Sequence, residues 1–169
     1  VYILYNLIQL LDGLSFYDSL DSVVGLAIQE LEKFEESQLR AKIGCDIFNA
    51  AGLAYLSSDK NKALISFLCV KQLLDKFLPK EEKALMAYYC NMGLAYSKID
   101  FEKANQFLQE ALEREKQYYG EYSMEVADVY HNIGKNYLSI SDYENASFYL
   151  EKALQIKRTK SECTYSLIK

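Results

Sequence analysis

Apolar residues recur along this chain at spacings of one, three and four, which places them on one stripe of a helix, and sustained alternation of the strand type is absent. Ile47, Phe48, Ala51 and Tyr55 make one stripe; Tyr88, Tyr89, Met92 and Tyr96 make a second, and Val129, Tyr130, Ile133 and Tyr137 a third. A different stripe follows the last two: Ala104, Phe107, Leu108, Ala111 and Leu112, then Ala146, Tyr149, Leu150, Ala153 and Leu154. The pattern predicts helices over about 2–12, 20–36, 38–57, 60–77, 81–98, 101–118, 123–140 and 143–159. Local signals fix several boundaries. Asp100 and Asp142 stand where N-caps belong, and Ser123 followed by Glu125 favours a helix start. Gly120 ends one helix, and Pro79, the single proline, stops another and permits the next to begin near Glu81.

The stripes are copies of one another. Asn91-Met-Gly-Leu-Ala-Tyr96 recurs as Asn132-Ile-Gly-Lys-Asn-Tyr137, with a weaker copy, Ala50-Ala-Gly-Leu-Ala-Tyr55, upstream. Gly52, Gly93 and Gly134 are each 41 residues apart, and Ala63, Ala104 and Ala146 follow them by 11, 11 and 12 residues. Val70, Ala111 and Ala153 lie seven residues further on. Glycine inside a helix costs about 1 kcal/mol of propensity, so its repetition calls for a packing reason. Small residues remove bulk where the two antiparallel helices of a hairpin touch, and the aromatics fill the adjoining space. The units run over about 1–37, 38–79, 80–120 and 121–160, with 161–169 opening a further helix. In the degenerate first unit, Gly13 precedes Gly52 by 39 residues, Phe16 takes the tyrosine place and Gly25 a small position.

Composition narrows the function more than the fold. With 169 residues, 50% hydrophobic and only 7 Gly and 1 Pro, the chain is not collagen, low-complexity disorder or a turn-dense β-sandwich. Nineteen basic against 24 acidic residues give a net charge of −5, so this segment lacks the electrostatic footprint of a nucleic-acid binder. Cys45, Cys69, Cys90 and Cys163 form no C-x-x-C pair and there is one histidine, so no local metal motif and no cofactor are expected. Isolated cysteines suit a reducing compartment, and a cytoplasmic location is expected. The apolar start Val1 to Leu11 lacks a basic leader, is interrupted by Asn6 and Gln9 and is too short to span a bilayer, so no membrane contact is expected. His131 has no Ser, Cys or carboxylate at a recognisable motif spacing; no catalytic residue is expected.

The repeated residues resemble the tetratricopeptide repeat: glycine at the eighth place, tyrosine at the eleventh, alanine at the twentieth and twenty-seventh, and an aromatic near the twenty-third. The copy from Met124 to Arg158 matches this spacing throughout. The 41–42-residue period is similar to the long variety of kinesin light chains and of bacterial regulators that sense signalling peptides. The resemblance implies an all-α fold, a right-handed α-solenoid of about four helix hairpins forming one repeat domain over 1–169, with first helices lining a concave groove. It also implies a non-enzymatic scaffold that holds a peptide or protein segment, as the sensing part of a bacterial peptide-responsive transcriptional regulator does. Structural assembly or an adaptor role, including a homodimer, is the alternative. The groove places fall on Asn49, Asn91, Leu94, Asp128, His131, Asn132, Lys135 and Leu138, with Asp46 and Leu53 beside them. Asn91 and Asn132 share one place, and an amide ladder of this kind pairs with the backbone of an extended peptide.

Overall fold

The computed structural model describes residues 17–33 and 37–166. The helix expected at 2–12, together with Gly13 and Phe16, lies outside the described residues. Seven helices occupy the described chain: α1 (Tyr17–Glu32), α2 (Gln38–Tyr55), α3 (Lys60–Phe77), α4 (Glu82–Tyr96), α5 (Phe101–Tyr119), α6 (Met124–Ser139) and α7 (Tyr143–Ser166), with no strand.

Their starts are capped as the sequence predicts. Asp100 accepts from the Lys103 N–H at 3.0 Å, Ser123 from Val126 at 3.2 Å and Asp142 from Asn145 at 3.1 Å. Asp59 makes a third copy of the aspartate cap, accepting from the Asn61 and Lys62 N–H groups. Each such cap stabilises its helix by about 1 kcal/mol, because it satisfies donors the helix itself leaves open. Gly120 closes α5 with φ of +88°, a conformation glycine adopts without steric cost.

One boundary differs. A further helix was expected to open at 161, but α7 runs unbroken to Ser166. The hydroxyls near this boundary bond to the preceding turn, Thr159 onto the Gln155 carbonyl at 3.0 Å and Ser161 onto the Arg158 carbonyl at 2.8 Å.

The helices gather into two compact units that divide within α4, one ending at Asn91 and the other starting at Met92. In the first, Leu20, Ala27, Ile47, Ala51, Phe67 and Val70 are fully buried. In the second, Ala104, Leu108, Ala111, Val126, Ile133 and Ala146 play that part. All three repeated glycines sit where a side chain would collide with the partner helix. A Cβ on Gly93 would lie 2.6 Å from Leu108 Cγ and one on Gly134 2.7 Å from Leu150 Cγ, while one on Gly52 would enter the Phe67 ring. The aromatic places also pair, as Tyr96 stacks on Phe107 with centroids 5.7 Å apart and Tyr137 stacks on Tyr149 at 5.5 Å.

The 38–79 copy has Ser66 where the others have this aromatic, and Tyr55 finds other company. Its hydroxyl donates to Asp21 at 2.5 Å, and Lys62, which also reaches Asp21 at 2.5 Å, lies over the ring. The Asp21 carboxyl is accordingly held below the usual carboxylate range, chiefly by Lys62 and then by Tyr55.

Overpacking costs about 1–3 kcal/mol and glycine-to-alanine returns up to about 1 kcal/mol of helix propensity. Gly134→Ala is therefore expected to destabilise by about 1–2 kcal/mol. Gly25 in α1 has no described atom within 4 Å of an added Cβ, so Gly25→Ala is expected to stabilise by up to about 1 kcal/mol. Urea denaturation of the two variants checks both signs.

Candidate functional site

Helical spacing sets the first half of the site. Asp46 and Asn49 lie three residues apart on α2, and Ala87 and Asn91 four apart on α4, so each pair shares a face. The Asn91 side-chain amide donates to the Asn49 carbonyl oxygen at 3.2 Å. That bond orients both amides and leaves the Asn49 NH2, the second Asn91 N–H and the Asn91 oxygen with capacity for an occupant. Next to the pair, a trough of about 380 Å³ lies between α2 and the start of α4, lined by Cys45, Asp46, Asn49, Leu78, Ala84 and Ala87 among others. The alanines leave the space open. Lys42 and Glu81 form an ion pair at 2.7 Å at its rim, both side chains about half exposed, which contributes at most about 1 kcal/mol.

Burial dominates the electrostatics of the trough. It pushes the Cys45 thiol up to about 11, helped by the Asp46 and Glu81 carboxylates, so the sulfur stays neutral and unreactive near pH 7. Partial desolvation beside α4 also raises the carboxyl of Asp46, an otherwise exposed residue, above its ordinary range.

The second unit carries the rest of the expected residues. Asn132 is half-buried on α6, and His131, Lys135 and Leu138 are exposed on the same helix. Asp128 is exposed too, but is engaged by Lys157 of α7 at 2.7 Å. Leu94, at the end of α4, is half-buried, and its carbonyl accepts from the Ser97 hydroxyl at 2.9 Å. The sequence matched Asn91 with Asn132, whereas the structure bonds Asn91 to Asn49. The glycine register sets Ala50 opposite Asn91, which hid a partner standing one residue earlier on α2. Asn136 also escaped notice. It takes the place of Ala54 and Ala95, is 1% exposed, and its amide donates to the Phe101 carbonyl at 3.3 Å.

The arrangement offers amide hydrogen bonds, small apolar surfaces and isolated charges. Among the described residues there is no cluster that could hold a metal ion and no helix long and apolar enough to cross a membrane.

The family model for the tetratricopeptide repeat matches residues 83–159. That stretch, the last two copies read from the glycine period, is tetratricopeptide-repeat sequence, and the chain is an all-α helical-repeat protein. The family is one of protein-binding scaffolds. No curated protein matches the chain.

A carboxyl raised by burial opposes folding once it ionises. At low pH it is protonated in both states. As pH rises through the carboxylate range the unfolded chain ionises first and stability is lost. Asp46→Asn is therefore expected to be at least as stable as the parent chain at pH 7, with the difference vanishing near pH 3. Urea titrations at the two pH values test this.

Proposed function

We propose that the chain is a non-enzymatic scaffold that holds an extended peptide or protein segment along its first-helix faces. The observation that carries this reading is the Asn49–Asn91 amide pair beside an open trough with alanine walls. An amide oriented by its neighbour reads main-chain N–H and C=O groups whatever the side chains of the bound segment. In this first unit Leu53, 41% exposed, offers an apolar contact; within the second unit, Asn132 and Leu138, 43% exposed, offer an amide and an apolar contact of their own on α6. The long period favours, as the finer form of the proposal, the sensing part of a peptide-responsive cytoplasmic regulator.

A second reading, an assembly scaffold that pairs with another copy, is favoured by α7, which leaves Tyr143, Phe148 and Leu154 more than half exposed.

Twelve-residue peptides selected from a displayed random library supply the probe. Isothermal titration of the best binder is expected to show Asn91→Ala, or Asn132→Ala for a peptide held by the second unit, weakening it by about 1–3 kcal/mol, the cost of leaving a buried polar group without its partner. Circular dichroism should be unchanged. Unaltered affinity in both variants refutes the reading. Sedimentation decides the second: a dimer dispersed by Leu154→Glu supports assembly, and a monomeric parent chain excludes it.

A further inference from the structure

Two side-chain oxygens of the second unit, Asn105 Oδ1 on α5 and Asn136 Oδ1 on α6, are shut off from solvent yet accept no hydrogen bond from any described residue. They belong to one place. The Asn136 amide donates to the Phe101 carbonyl at 3.3 Å, and that carbonyl is also the helical acceptor of the Asn105 N–H, four residues on. The Asn105 side chain bonds to the hydroxyl of Tyr137, the residue after Asn136, and the Phe101 ring packs edge-on against Tyr137 with centroids 5.2 Å apart. Asn136 cannot be reversed to relieve its oxygen, because that would set the oxygen against the Phe101 carbonyl. A buried acceptor left unmet is destabilising. Both residues also depart from the repeat together: one copy earlier, the register places Leu64 and Ala95 where Asn105 and Asn136 stand.

We propose that the contact between α5 and α6 is a binding site for one structural water, which donates its two hydrogens to Asn105 Oδ1 and Asn136 Oδ1. The match is one of chemistry and number. A water brings two donors to two open acceptors, and buried waters typically make about three hydrogen bonds to groups of this kind. The groups that meet here are two amides, a main-chain carbonyl and a phenol hydroxyl, all neutral, which suits a water better than an ion. Because the water is fully bonded only while both oxygens face it, it makes the two asparagines a matched pair and fixes the rotation of α6 upon α5. The exchange of an apolar pair of places for two amides then has a cause: the second asparagine completes the site that the first one opens. This inference stands apart from what the first-helix faces hold.

A high-resolution crystal structure of the whole chain is the first test. It should show a water within hydrogen-bond distance, roughly 2.7–3.2 Å, of both oxygens. A direct bond between the two amides, an empty space between them, or a metal ion in place of the water overturns the proposal. Urea denaturation supplies a second readout. Asn105→Leu and Asn136→Ala, made singly, should each raise the unfolding equilibrium constant about ten-fold, since each leaves the other amide and the water short of a partner. Made together they restore the residues of the preceding copy, and the pair should fall well short of the roughly hundred-fold loss that two independent effects would give. Strictly multiplicative losses mean that the two side chains share no ligand, and they overturn the assignment even where the single variants are folded.

Discussion

The contact between paired helices at Gly52, Gly93 and Gly134 is so close that no side chain fits between glycine and Phe67, Leu108 or Leu150. Everything else in each hairpin follows from it. The approach brings Ala63, Ala104 and Ala146 to full burial one side of the crossing, and at Tyr96 and Tyr137 it sets the rings flat on their partners. Stacked rings add about 0.5–1.5 kcal/mol beyond the area they bury, but their larger effect is to fix the rotation of the first helix. Once that rotation is fixed, the residues on its far side cannot turn inward.

On α2, which lacks the ring stack, the contact of Gly52 with Phe67 sets the rotation, and the candidate site lies on the opposite side. On α2 the buried face holds Cys45, Ile47, Ala51 and Ala54, which leaves Asp46, Asn49 and Leu53 directed elsewhere. The amides therefore sit on a rigid element rather than a loop, and the Asn49–Asn91 bond removes a further degree of freedom. Binding to a surface of this kind orders few groups on the protein side, which lowers the entropic cost of association.

Periodicity made the helices legible, and small residues at fixed offsets made the hairpin contacts legible before any coordinates. Aspartate and serine caps set the starts to within a residue or two. What escaped the sequence depended on contacts between residues off the repeat register. Asn49 joins Asn91 at an offset of 42 where the glycines run at 41, and Asp21 reaches Tyr55 from a helix whose repeat signals are degenerate. Asn136 occupies an alanine place and so reads as a lapse in the pattern. The run of α7 past residue 160 escaped because the repeat period sets a unit boundary there, whereas the helix continues to Ser166.

The substitution of Ser66 for a ring gives the two halves of the molecule unequal chemistry. Where Tyr96 and Tyr137 stack on Phe107 and Tyr149, Tyr55 has no ring partner of that kind among the described residues and donates to the Asp21 carboxylate that Lys62 also holds. Acidification through the range where Asp21 takes up its proton removes that support and spares the ring stacks, and added salt weakens it in the same direction. The bonds that hold Tyr55 thus depend on an ionised carboxylate, while the ring stacks of Tyr96 and Tyr137 do not.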